Sequence, residues 1–141
     1  MDRRQSLMRV LALDYGLARI GVAVSDATGT LATPIAAIEP SEVSEVVSVA
    51  KEREVECIVV GMPVSLSGEE GGQAEITRGF CTDLENATEI PVETYDERFT
   101  TRMAAQTRRS SGASAAEDSI AAAHLLESFL MSQARKAESD G

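Results

Sequence analysis

Arg9-Val10-Leu11-Ala12-Leu13-Asp14-Tyr15-Gly16-Leu17-Ala18-Arg19-Ile20-Gly21-Val22-Ala23-Val24-Ser25-Asp26 is the stretch that decides the architecture. Its first half is apolar on both faces and stops at Tyr15-Gly16, the pattern of a buried central strand ended by a turn. A second β-rich run follows from Arg19 after a short Gly-containing loop, so the two strands form a hairpin. Asp14 closes the first strand. An ionised carboxylate in such a place costs several kcal/mol unless a partner, a hydrogen-bond network or a metal compensates it. Its position therefore points to chemistry, and two later acids can be placed beside it.

Working outward, residues 31–38 read as a third strand, with Pro34 indicating an edge position. Ser41 can cap a helix whose apolar stripe is Val43, Val46, Val47 and Ala50. Cys57-Ile58-Val59-Val60 is a short buried strand ended by Gly61-Met62-Pro63, and a Gly- and Ser-rich loop leads to a helix with Ile76, Phe80 and Leu84 on one face. Pro91-Val92-Glu93-Thr94-Tyr95 is a fifth strand, residues 99–109 form a helix broken at Ser110-Ser111-Gly112, and a last helix spans about residues 115–135. The order is βββαβαβαα. It predicts one α/β domain over residues 1–141, with short flexible ends at about 1–6 and 136–141. Its five-stranded mixed sheet comprises an antiparallel meander followed by two right-handed β-α-β crossovers, flanked by helices.

Composition excludes several classes. The 141 residues suffice for one ordinary core and not for two domains. No apolar run reaches the roughly 20 residues of a membrane helix, and Met1-Asp2-Arg3-Arg4-Gln5 opens no signal peptide, so a cytoplasmic protein without membrane association is expected. Cys57 and Cys81 lack metal-ligand or redox spacing and read as reduced packing residues. With 13 Lys+Arg against 23 Asp+Glu, the net charge of −10 argues against tight non-specific nucleic-acid binding. A local basic patch or a bound cation can still invert the field at one site.

Crossovers of this kind carry the C-terminal ends of parallel strands to one edge, where α/β folds place their sites. Asp14 ends strand one there, and Asp96-Glu97 end strand five at the same edge. Ser114-Ala115-Ala116-Glu117 fits a capping box, which leaves Asp118 unexplained by capping. Asp118 instead heads the apolar stripe Ala122, Leu125 and Phe129 and should point toward the core edge. Convergent carboxylates without a His or Cys at ligand spacing suit Mg²⁺ or Mn²⁺, as in metal-assisted phosphodiester cleavage. Arg98 and Arg102 flank the expected site as phosphate contacts, and Arg108-Arg109 read as surface charge. His124 lies outside the stripe and is no catalytic candidate. The loop from Gly61 to Gly71, which includes Ser67, lacks the Gly-Lys-Ser/Thr ending of a nucleotide P-loop, yet its amides could receive a phosphate of a longer substrate.

Four ordered segments together resemble the YqgF family, RNase H-like proteins described as Holliday-junction resolvases or pre-16S rRNA nucleases. They are Leu11-Ala12-Leu13-Asp14-Tyr15-Gly16 running into residues 20–26, then Val59-Val60-Gly61-Met62-Pro63 with the loop to Gly71. The others are Asp96-Glu97-Arg98-Phe99-Thr100-Thr101 and Asp118-Ser119-Ile120-Ala121-Ala122-Ala123 with the helix that follows. The resemblance implies an RNase H-like fold, a divalent-metal nuclease, and Asp14, Glu97 and Asp118 as catalytic, metal-binding acids. The expected partner is nucleic acid, precursor rRNA in preference to branched DNA, and the expected state a monomer or weak homodimer. One departure stands out: the segment before Asp118, often basic in similar proteins, carries no basic residue over 112–117. An actin-like phosphotransferase shares the Asp-x-Gly hairpin but needs a second domain. An RNA-binding assembly factor without turnover is the non-enzymatic alternative.

Overall fold

The computed structural model describes residues 9–63, 71–97 and 115–140. The expected helix over 99–109, its break at 110–112, Ser67, Arg98, Arg102 and the capping Ser114 lie outside the described residues. The elements are β1 (Val10–Tyr15), β2 (Ile20–Ser25), β3 (Ala32–Ile38), α1 (Val43–Glu52), β4 (Cys57–Met62), α2 (Gly72–Ala87), β5 (Val92–Asp96) and α3 (Ala115–Asp140). They form one sheet of order β3-β2-β1-β4-β5. β2 pairs antiparallel with both β1 and β3, while β4 runs parallel to both β1 and β5. The mixed five-stranded sheet read from the sequence is the sheet observed.

Strand alternation divides the core into two layers. Leu11, Leu13, Ile20, Val22, Ile58 and Val60 face one way, packing on Val46 and Ala50 of α1 and on Phe80 and Leu84 of α2. Val10, Ala12, Ala23, Cys57 and Val59 face the other, against Ala122, Leu125, Leu126 and Phe129 of α3. β1 thus has helices on both faces, which is why its sequence is continuously apolar. β3 lies at the sheet edge as Pro34 indicated, with Pro34 opposite Ala23.

The Ser25-Asp26 pair closes the meander. Ser25 Oγ accepts the Val10 N–H at 2.8 Å, satisfying the first amide of β1 from inside the core. Asp26 accepts the Thr30 and Leu31 amides at 2.8 and 3.2 Å and the Thr28 hydroxyl at 2.9 Å. These donors, the Thr30 amide foremost, hold its carboxyl below the usual range. Gly29 takes the left-handed conformation the turn requires, φ 69°.

Three local readings change. Ser41 does not cap α1: Glu42 is the N-cap and makes no side-chain cap bond. The chain enters through a backbone turn instead, with Glu42 N–H on Glu39 O and Glu45 N–H on Glu42 O, each at 3.0 Å. α3 continues to Asp140, beyond the end expected near Arg135. β4 runs on through Gly61 and Met62, so Gly61 lies inside the ladder opposite Tyr95 and not in the loop that follows.

Both cysteines are free and buried. Burial, reinforced by Glu93, pushes the Cys57 thiol up to about 12, and burial with Glu85 pushes Cys81 up to about 11. Neither is a nucleophile at neutral pH. Among the described residues no helix is long and apolar enough to cross a membrane.

α1 ends in a Schellman motif, Glu54 N–H to Lys51 O and Val55 N–H to Ala50 O, both 3.1 Å. Glu54 occupies its left-handed position at φ 55°, a conformation that is costly for a residue bearing a Cβ. Glu54→Gly is therefore expected to raise stability by about 1 kcal/mol, read as a higher urea midpoint at unchanged slope.

Candidate functional site

Asp14 follows Val10 and Ala12 in alternation, so its side chain belongs to the face of β1 that α3 covers. It is 8% exposed and sits opposite Gly21 of β2. At Gly21 a Cβ would run into the backbone of Asp118, because the first turns of α3 lie directly on the strand there. A neighbouring contact fixes the same approach. The β2–β3 register shifts between Ile20 and Val22, and beside the irregularity Ser119 Oγ accepts the Val22 N–H at 3.2 Å. Ser119 is buried, so this bond pins the helix head out of water. Gly21 is small because α3 has to arrive at this point.

Asp118 is thereby carried to the strand that pairs with Asp14. Its carboxylate accepts a hydrogen bond from Arg19 Nε at 2.9 Å, with the two side chains 24% and 33% exposed.

The remaining acid comes from the residue just past the fifth strand. Tyr95 faces α3, its ring edge-on to Phe129 at 5.8 Å and its hydroxyl 2.9 Å from Ser128 Oγ. Asp96, the next residue, is opposite Met62 and falls on the other face. Glu97 returns to the α3 face and lies over Gly61, where an added Cβ would meet Glu97 Oε2 at 2.8 Å and Leu125 Cδ2 at 3.1 Å. Gly61 is thus the floor beneath the Glu97 carboxylate. β5 stands two places from β1 with β4 between them, which sets Glu97 on the same edge as Asp14.

Asp14, Glu97 and Asp118, far apart in sequence, share one face and one end of the sheet. The structure does not close them into a ligand shell: among the described residues no three His, Cys, Asp or Glu side chains are gathered closely enough to grip an ion. Their donor chemistry nevertheless fits a hard divalent cation, being carboxylate oxygen alone. Gly21 and Gly61 give Asp118 and Glu97 the room to lie against the strands. His124 pairs with Glu127 of its own helix at 3.4 Å, apart from this set. Arg19 and Ser119 are the residues that sequence reasoning missed. Alternation from Ile20 places Arg19 on the Gly21 side, a signal legible only once the helix is known to cover that face.

The sheet order and the helix on each face define an RNase H-like fold. RuvC of Thermus thermophilus, solved with a Holliday junction, shares it at a TM-score of 0.56 and 16% identity, covering 89% of this chain and 95% of that one. A second structure of RuvC from the same organism gives 0.54 and 15%. At the level of sequence the family is defined: residues 8–132 match RuvX, described as Holliday junction resolvase, and the chain belongs to that family. Family membership makes it a nuclease, a hydrolase of phosphodiester bonds. A relative from Chloroflexus aurantiacus, named for pre-16S rRNA nuclease activity, is 40% identical over 86% of this chain and 85% of its own. A Rhodococcus erythropolis relative of the same name is 37% identical over 90% and 80%.

The docking of α3 makes a paired prediction. Gly21→Ala should cost about 3 kcal/mol, because backbone has to move to admit the methyl. Gly79→Ala, in the middle of α2 with nothing within 4 Å of an added Cβ, should instead add about 1 kcal/mol through helix propensity. Equilibrium unfolding of the two variants in parallel measures both.

Proposed function

We propose that this chain is a divalent-metal-dependent nuclease acting on the 5′ region of the 16S rRNA precursor, with Asp14, Glu97 and Asp118 holding Mg²⁺ or Mn²⁺. The observation that carries the reading is the arrival of three carboxylates from β1, the end of β5 and the head of α3 on one face of one sheet edge. The names of the curated relatives support precursor rRNA as the substrate.

Each acid has a distinct part. Asp14 is set in a central strand, paired with Gly21 of β2 and directly after Leu13, the last residue of β1 paired with β4, so its carboxylate is the fixed point of the site. Glu97 is held flat against β4 by the missing side chain of Gly61. Asp118 is accessible to solvent and already engaged with a cation, Arg19. A divalent ion bound by such a set supplies Lewis-acid stabilisation of the phosphoryl oxygens and an activated water. The chain's own task is to present oxygen donors in a fixed array and to offset the repulsion between its acids and a polyanion. A net charge of −10 supplies no bulk attraction for RNA, so recognition is local to the site and to the phosphates it reaches.

The end of β5 separates the two neighbouring acids, Asp96 as its last residue opposite Met62 and Glu97 just past it over Gly61. Glu97→Gln should lower turnover about 100-fold or more, the scale of losing metal-assisted charge stabilisation, while leaving the melting temperature near wild type. Asp96→Asn should keep measurable turnover. A dead Asp96→Asn beside an active Glu97→Gln would reverse their roles.

A second substrate reading has its own support in the family description and in the shared RuvC fold. One assay decides between them: the purified protein on a precursor-rRNA 5′ end, an RNA duplex and a four-way DNA junction, with Mg²⁺, with Mn²⁺ and with chelator. Metal-dependent cleavage of the rRNA end should exceed that of the junction. Efficient junction cleavage with inert RNA would assign the enzyme to branched DNA. Binding without turnover under either metal would make it an assembly factor.

A further inference from the structure

Among the described residues Arg19 is the cation paired with Asp118, and the way the hairpin presents it indicates what it does. Gly16 N–H donates to Arg19 O at 3.1 Å and closes the β1–β2 turn. The turn is tight: a Cβ on Gly16 would stand 2.9 Å from that same oxygen. The backbone of Arg19 is thus fixed at the end of the sheet where Asp14 lies. Ile20 packs into the α1–α2 layer, so Arg19, one residue earlier, faces α3. Its Nε reaches Asp118 Oδ2 at 2.9 Å across 99 positions of sequence.

This ion pair is not what docks the helix. The head of α3 is already placed by the contact of its backbone with Gly21 and by the buried bond from Val22 N–H to Ser119 Oγ, neither of which uses the Asp118 carboxylate. The pair is also open to exchange, since a quarter to a third of each side chain is in solvent. A pair of that exposure is weak and readily displaced. The docking leaves the carboxylate a choice of cation.

We propose that Arg19 is an exchangeable counter-cation: it neutralises Asp118 while no metal is bound and yields the carboxylate when a divalent ion enters. The role rests on the reading of Asp118 as a metal-binding acid. Arg19 is then a positioning residue with an opposing effect on metal affinity. It must be displaced before Asp118 can turn to the ion, and its charge stays nearby afterwards. Loading of the site is held back until the ion concentration is sufficient, and Asp118 is never left as an uncompensated charge beside Asp14.

Calorimetric titration with Mn²⁺ alone, without nucleic acid, tests this on wild type, Arg19→Gln, Arg19→Lys, Asp118→Asn and the Arg19→Gln/Asp118→Asn pair. Arg19→Gln should bind Mn²⁺ about fivefold more tightly, the scale of a partly exposed ion pair that no longer has to be broken. Arg19→Lys should stay near wild type. In the Asp118→Asn background the gain should vanish, because the two residues act through one contact. Equal or weaker binding by Arg19→Gln, or a gain that persists without Asp118, overturns the role of Arg19 while leaving the metal site standing. Absence of Mn²⁺ binding in every protein overturns the metal site itself. An Arg19→Gln variant that fails to melt cooperatively in chelator also overturns the proposal, since the pair would then be needed to dock α3.

Discussion

The backbone of Asp118 lies directly on Gly21, the residue paired with Asp14, and the architecture of the acidic edge depends on that contact. A helix normally stands off a sheet by the depth of its side chains. Here one missing Cβ on the strand lets the helix head descend until its own backbone touches, and Ser119 then completes the seat by taking an amide of β2. The alanines at 121–123 continue the close approach along α3. The apolar stripe further on, Leu125, Leu126 and Phe129, supplies the burial that holds the helix down. An acid at the start of that stripe is placed by packing energy far larger than any interaction of its own.

The same economy of side-chain volume recurs on β4. Gly61 is a strand residue, buried and paired with Tyr95, and its lack of a Cβ is the space that Glu97 fills. Tyr95 meanwhile anchors β5 to α3 through Phe129 and Ser128, so the residue that must present Glu97 is held from two sides. Sheet order does the rest: with β4 between β1 and β5, two parallel pairings bring the strand ends into line. The acids are therefore positioned by elements that would pack the same way without them.

Much of this was legible in the chain. Period-two and period-3.6 patterns are generated by burial, and here burial is nearly complete on both faces of β1, β2 and β4, so these strands and the stripe on α3 stood out. Asp14 was legible because an acid in a doubly covered strand has no packing reason to be there. What was not legible depends on pairings across long sequence separations. Ser41 has a capping side chain, yet the chain enters α1 through a backbone turn from Glu39 to Glu42. Gly61 looked like a loop residue because its apolar run ends at Val60; only the pairing with β5 carries the strand onward to Met62. Arg19 looked like ordinary hairpin charge until α3 put Asp118 within reach of it.

Charge then explains why a protein this acidic can work on a polyanion. The net charge of −10 repels nucleic acid at long range, and acids gathered at one edge would repel one another as well as a phosphate. Binding sites of this sign need positive charge supplied locally and only where it is useful. Arg19 provides one such charge from the chain itself, seated on the hairpin whose strands carry Asp14 and Gly21. A divalent ion provides more, in proportion to its occupancy. Under the proposed metal binding, attraction for substrate follows metal at the site and not the surface as a whole. An acidic surface and a metal-dependent nuclease are in this way compatible.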